Sequence, residues 1–387
     1  MSDSPRETGH GKPPPLSRKK KILFALLFTL LPLLLLEAGL RLSGAEFGWE
    51  VEAPLARRQL EAYVGRSEMW SDEDLLQANF SIYVDDRTRL WRLEGDLDVE
   101  IGNFLVPHDL RGIRTFAVKT NEQGFRGPLP PAAGKRKTVL CLGDSHTFGW
   151  GLEEEETFPA RLQRLLDGEE PDRYAVANAG QPGYSSFQGR VLWEEGGRDL
   201  APAYVVLAFG FNDGLKAPIA DEDAAARRAG APGFLRHALM LTRTYRLLRH
   251  AILSARGAGG ADIEGMGRRV PREKYRAHLA RMVEDVRKCG GRPVFLSLLC
   301  RYHRTLTELA RDLDVPLVDA DAYAEQAREA LVAGRGDAAW RAEALERFGP
   351  ARLEKNPSWW VRADAAHYNR FVHEAVAEAL AEIILAD

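Results

Sequence analysis

With 387 residues, 45% of them hydrophobic and 28% charged, the chain is long enough for a sizeable core and too apolar for a disordered protein. A net charge of −3 lacks the basic excess of a nucleic-acid binder, so no nucleic-acid partner is expected. Three cysteines, Cys141, Cys289 and Cys300, share no metal-ligand spacing and are too few for a disulfide framework, so they read as idle thiols.

Residues 1–21 read as a cytoplasmic tail that is polar as far as Ser17 and ends in Arg18-Lys-Lys-Lys21. Ile22 to Leu36 follows as an apolar run whose only irregularities are Thr29 and Pro32. A cationic flank ahead of such a run is a membrane-targeting signal that keeps the basic end in the cytoplasm. The rest of the chain is therefore expected outside the cytoplasm, in the periplasm, held to the inner membrane by a single pass. The uncharged stretch falls short of the roughly 20 residues of a spanning helix, so the anchor is read as residues 22–42, with Glu37 and Arg41 snorkelling. The alternative is a secreted protein cleaved at Ser43-Gly44-Ala45, although the charges at Glu37 and Arg41 fit a cleavage region badly.

Residues 46–137 read as an accessory segment with short β-like pieces. Phe80-Ser-Ile-Tyr-Val84 alternates, and Thr115 to Lys119 reads as a strand entering a turn at Asn121 to Gly124. Trp70, Trp91 and Phe125 read as packing aromatics. From residue 138 strands and helices alternate. Strands are predicted at Thr138 to Leu142, Arg173 to Asn178, Tyr204 to Phe209, Val294 to Leu299 and Val315 to Asp319. Helical spacing marks Phe158 to Leu166, Tyr275 to Val286, His303 to Leu313 and Phe371 to Leu385. Apolar strands punctuated by amphipathic helices predict an α/β fold with a five-stranded parallel sheet covered on both faces, whose ligand site lies beyond the carboxyl ends of the strands.

The chemistry-bearing residues fall at those ends. Gly143-Asp144-Ser145 follows the first strand, Gly183 the second, Gly210-Phe-Asn212-Asp213 the third, and Asp364-Ala-Ala-His367 precedes the last helix. A serine hydroxyl is a poor nucleophile unless a base takes its proton, and an imidazole serves when a carboxylate orients it. Asp364 and His367, three apart, suit that pairing, with Ser145 as the group they activate. Attack on an ester creates an oxyanion, for which the N–H groups of Ser145 and Gly183 and the Asn212 amide are the candidate donors. Any one of these motifs alone is an ordinary turn, and only the four together in this order carry the reading. Asp144 and Asp213 read as loop braces, and His146, His278, His303 and His373 as surface or core residues.

These four stretches resemble the blocks of the SGNH hydrolases, also called GDSL esterases and lipases, in a membrane-anchored bacterial-type form. The resemblance spans residue 138 to the C-terminus. It implies a three-layer α/β/α sandwich of flavodoxin-like strand order, Ser145 as nucleophile, His367 as base, Asp364 as its partner, and an oxyanion hole of Ser145, Gly183 and Asn212. No cofactor and no metal are expected. The serine motif lacks the Gly-x-Ser-x-Gly elbow of the ordinary α/β-hydrolases.

Two insertions interrupt the 138–387 domain, at 214–270 and 323–360. In the first, Phe234 to Arg256 reads as an amphipathic helix, apolar at Leu235, Leu239, Leu248, Ile252 and Leu253 and basic at Arg236, Arg243, Arg246, Arg249 and Arg256. It is expected to pack on the domain as a lid or buttress, the alternative being a surface lying on an anionic membrane. The second ends in Trp359-Trp360, which either wall a substrate pocket or pack the loop holding Asp364 and His367. The expected function is an extracytoplasmic serine esterase cleaving acyl esters through an acyl-serine intermediate, on a cell-envelope glycan or lipid. The alternatives are an O-acyltransferase with the same triad and a catalytically silent envelope binding module.

Overall fold

The computed structural model describes residues 17–44, 82–103, 105–106, 115–130, 135–230, 235, 238–239, 241–255 and 266–386. Trp70, Phe80, Phe234, Arg236 and Arg256 lie outside them. The apolar run forms one helix, α1 (Arg18–Leu42), long and apolar enough to cross a membrane. Ser17 starts it by accepting from Lys20 N, and it runs on through Pro32.

Five parallel strands make the main sheet: β5 (Lys137–Gly143), β6 (Tyr174–Gly180), β7 (Tyr204–Ala208), β10 (Arg292–Ser297) and β11 (Leu317–Asp319). Their order, β11-β10-β7-β5-β6, is flavodoxin-like, with the topological switch between β5 and β7. The strands are nearly continuous apolar runs because both faces are covered. Along β5, Val139 and Cys141 enter one core while Leu140 and Leu142 enter the other, the two-residue period of a strand. The first core is closed by α3 (Phe158–Glu169) and α12 (Arg370–Leu385), through Phe158, Leu162 and Leu166 against Val372, Val376 and Leu380. The second is closed by α4 (Ser186–Glu195), α7 (Arg272–Lys288) and α8 (His303–Leu313). The predicted fourth strand stops at Ser297, two residues early, because Leu299 takes a left-handed turn with φ 54°.

The accessory segment supplies two antiparallel hairpins, β1 (Tyr83–Asp86) with β2 (Leu90–Leu93), and β3 (Asp98–Gly102) with β4 (Thr115–Lys119). Arg126 N then donates to Asn178 O at 3.0 Å, fastening this segment to the edge strand β6. Its apolar side, Leu93, Ile101, Phe116 and Val118, packs with Phe148, Trp150 and Phe211 from the loops at the carboxyl edge of the sheet.

In the 214–270 excursion, β8 (Lys216–Ala217) pairs with β9 (Gly267–Arg268), and α5 (Asp221–Ala229) and α6 (Arg243–Ala255) lie between them. The single helix predicted from Phe234 is broken ahead of α6, where Thr242 Oγ1 accepts from Tyr245 N and starts a new helix. The 323–360 insertion folds as the end of α9 (Ala320–Val332), then α10 (Ala338–Phe348), α11 (Pro350–Lys355) and a tight turn at Pro357–Val361. Trp340, Phe348 and Leu353 carry it onto the first core. All three cysteines are free, Cys141 and Cys300 buried and Cys289 exposed.

Candidate active site

The short helix α2 (Ser145–Phe148) begins where β5 ends, and Asp144 caps it by accepting from His146 N. Ser145 is thereby held at the first position of a helix, at the topological switch of the sheet. Ser145 Oγ lies 2.8 Å from His367 Nε2. His367 Nδ1 lies 3.0 Å from each oxygen of Asp364. Asp364 also accepts from the N–H groups of Ala366 and His367, both at 2.8 Å, so the loop that carries the pair is folded around the carboxylate.

Burial alone would raise the Asp364 carboxyl, but His367, Ala366 N–H and Asn103 outweigh it and hold it below its usual range. Burial pushes the His367 imidazole down, against the pull of Asp364, and neighbouring His146 adds to the depression. The ring is therefore neutral at neutral pH, with Nδ1–H directed to Asp364 and Nε2 open to the serine proton.

Asp144 and His146 tie the site together from below. Asp144 Oδ1 meets His146 Nδ1 at 2.9 Å, while Asp144 Oδ2 accepts from Asn212 Nδ2 at 3.0 Å. His146 Nε2 lies 3.1 Å from Ala366 O, inside the His367 loop, and the two imidazole rings are 4.7 Å apart. Asp213, the other brace, accepts from Ser186 N and Ser186 Oγ. Burial lifts its carboxyl to about 7.

Gly183 sits at φ 82°, where a side chain is strained, and an added Cβ would stand 3.2 Å from Trp91 Cζ2. Among the described residues, the N–H groups of Ser145 and Gly183 meet no protein acceptor. Asn212 differs: its Nδ2 donates to both Asp144 Oδ2 and Tyr184 O, at 3.0 and 3.1 Å. It can turn toward a third acceptor only by releasing one of these.

Residues without a site role in the sequence reading, Trp91 among them as a packing aromatic, complete the arrangement. Asn103 Nδ2 donates to Asp364 Oδ2 at 2.9 Å, and Asn103 Oδ1 accepts from Trp150 Nε1 at 2.9 Å. Trp91 packs against Gly183 and donates from Nε1 to Pro182 O at 3.3 Å. Gln181 Oε1 accepts from Leu93 N, and Gln181 Nε2 donates to Gly124 O. Buried Arg126 donates to Phe148 O and Gly149 O, closing the carboxyl end of the serine helix.

Trp359 and Trp360, the alternative pocket walls, are each only 7% exposed. Trp359 packs on Phe348 and beneath Arg352, Trp360 lies beneath Arg341, and Trp360 O accepts from Trp340 Nε1. Both are placed in the core that supports the Asp364 loop. A cleft of 480 Å³ opens elsewhere, lined by Phe211 and Tyr368, the neighbours of Asn212 and His367, and by Arg301, His303 and Asp319. His303, Asp319 and Asp321 have ligand atoms within 4.8 Å of one another. Asp321, however, is already engaged by Ser297 Oγ, Leu299 N, Cys300 N and Tyr368 Oη, so it serves as a brace of the loop after β10.

A family model described as GDSL-like lipase/acylhydrolase matches residues 141–384. Among solved structures the chain is similar to Axe2, an acetylxylan esterase from Geobacillus stearothermophilus, at 16% identity and TM-score 0.37, over 66% of this chain and 95% of that one. It is also similar to the acetyl xylan esterase AlAXEase, at 15% identity and TM-score 0.37, over 64% and 99% of the two chains. A third similar structure is TesA, at 18% identity and TM-score 0.36, over 63% and 96%. No curated protein matches the sequence.

Proposed function

The chain belongs to the GDSL-like lipase/acylhydrolase family, and from that membership we propose that this serine hydrolase of ester bonds works through Ser145, His367 and Asp364. Ser145 Oγ attacks the acyl carbonyl as His367 Nε2 takes its proton. The imidazolium so formed is stabilised by Asp364. The carbonyl oxygen, now an oxyanion, is received by the N–H groups of Ser145 and Gly183, with Asn212 Nδ2 turning toward it from Tyr184 O. His367 then returns the proton to the departing alcohol, leaving an acyl-serine. Water, deprotonated by the same imidazole, cleaves that ester and regenerates the hydroxyl. The observation that carries this reading is the Ser145–His367–Asp364 hydrogen-bond chain.

The enzyme is anchored by residues 22–42 with its catalytic domain outside the cytoplasm, and its ester is carried on a cell-envelope glycan. The basic flank at Arg18 to Lys21 supports the orientation. The cleft bounded by Phe211 and Tyr368, the sequence neighbours of Asn212 and His367, supports the substrate class through Arg301, His303 and Asp319, which can hydrogen-bond a hydroxyl-rich carrier.

The test uses the full chain in detergent. A fluorophosphonate should label it, and it should hydrolyse p-nitrophenyl acetate faster than p-nitrophenyl palmitate. Failure to label would favour a catalytically silent binding module, and a preference for palmitate would remove the glycan reading. A reporter fused at the C-terminus should be active only outside the cytoplasm.

A further inference from the structure

Helix α6 presents an apolar side that stays exposed among the described residues. Leu248 and Ile252 are 57% and 43% exposed, and Leu241, just ahead of the helix, is 63% exposed. At about 100° per residue, Tyr245, Leu248 and Ile252 fall in one stripe about 60° wide, with Arg243 and Arg246 on other sides of the helix. The expected lid would have buried this stripe.

The start of α6 is fixed to α1 instead. Glu37 Oε2 accepts from Thr244 N at 2.8 Å and from Thr244 Oγ1 at 2.9 Å, while Glu37 Oε1 accepts from Arg243 N at 3.2 Å. A carboxylate from one helix thus satisfies free N–H groups at the amino end of another. Arg243 Nη1 returns a hydrogen bond to Leu40 O at 2.9 Å, and Arg41 Nη2 donates to Leu241 O at 3.3 Å. Within α1 only Glu37 and Leu40 are partly covered, so the helices meet at a single turn and do not run side by side. That turn directly follows the apolar run that ends at Leu36.

We propose that α6 lies in the outer interface of the bilayer crossed by α1, its Tyr245-Leu248-Ile252 stripe turned to the acyl chains. This rests on the anchored reading of residues 22–42. The contact with α1 sets the depth: it lies at the boundary of the apolar layer, where an amphipathic helix is stable and a fully apolar one is not required. Seating α6 there also orients the active site. The excursion leaves just after Asn212 and returns at Arg269, whose Nη1 donates to Gly183 O at 2.7 Å.

The test places a fluorophore on the full chain reconstituted in phosphatidylcholine and phosphatidylglycerol vesicles. Cys289→Ser removes the exposed thiol, Cys141 and Cys300 being buried. Labels are then introduced singly through Leu248→Cys, Leu30→Cys and Leu345→Cys. Lipid spin-labelled near the headgroup should quench the label at 248 about threefold more than the label at 345, on exposed α10 surface. Lipid labelled deep in the chain should quench the label at 30. If 30 is quenched and 248 is not, the anchor stands and the interfacial helix is wrong. If 248 is shielded from water without lipid quenching, a second protein copy covers the stripe and the proposal also fails. If 30 itself is unquenched, the anchored reading fails and takes this inference with it.

Discussion

Two regions outside the four sequence blocks treat the active site in opposite ways. Residues 82–103 and 115–130 fold over the carboxyl edge of the sheet and reach into the site, through Asn103 to Asp364 and through Trp91 to Gly183. The 214–270 excursion is attached beside the same site by Arg269, yet its helix α6 turns away and keeps Leu248 and Ile252 exposed. The difference lies in the apolar pattern. Ile101, Phe116 and Val118 alternate along short strands and meet Phe148 and Trp150, which buries one hairpin face completely. The stripe of α6 meets no such partner among the described residues. One region therefore packs its apolar face on the candidate site, while α6 of the other keeps its apolar side exposed.

That contrast can be broken by substitution. Outside the Ser145–His367–Asp364 chain, the largest effect is expected for Asn212→Ala, which removes the amide proposed to link Asp144 to the oxyanion. Turnover of p-nitrophenyl acetate should fall by about two to three orders of magnitude. A loss of tenfold or less would leave a hole made of backbone donors alone. Asn103→Ala comes next. A hydrogen bond to a charged group contributes about 1.5–3 kcal/mol, so kcat should drop by about ten- to a hundredfold. Without that donor Asp364 pulls harder on His367, and the acid limb of the rate profile should move to higher pH. A purely structural role for Asn103 would leave the limb where it was.

The unaltered enzyme makes a pH prediction of its own. As the proposed base His367 can act only when neutral, and its folded-state pKa is depressed below the ordinary histidine value by burial. Activity should be full above that ordinary value and fall only as pH drops through a point below 6.5. A limb at 7 or higher would mean that the imidazole is more exposed to the Asp364 charge than its burial allows. The smallest effect belongs to α6. Leu248→Asp should change turnover of a soluble ester in detergent by less than about twofold, since surface substitutions of this kind stay within about 0.5 kcal/mol. A collapse of activity would show that the helix packs on the domain after all.

Much of the fold was legible because the five strands are buried on both faces and read as plain apolar runs. Ser145, Gly183, Asn212, Asp364 and His367 were legible for a related reason: each follows or precedes an element that the pattern marks, and each is of a type the chemistry demands. Asn103 was not. It acts on a residue 261 positions away, and a lone asparagine after the short strand Asp98–Gly102 has no local signature. Its only sequence signal is its place at the end of an alternating apolar piece. His146 and Asp144 were readable as braces or core residues but not as a bridge, because the bridge needs Ala366 O from the far end of the chain. The break ahead of α6 has no signal in the amphipathic period, which runs on through Thr242, where Thr242 Oγ1 accepts from Tyr245 N and a new helix starts.

The central claim is that Ser145 carries the acyl group between its removal from one oxygen and its transfer to water. Intact-protein mass analysis after rapid acid quenching of the full chain with p-nitrophenyl acetate tests it most directly. A mass gain of one acetyl group, mapped to Ser145 by peptide analysis and absent in Ser145→Ala, is the expected result. Turnover that persists in Ser145→Ala, or an acetyl group on another residue, would contradict it.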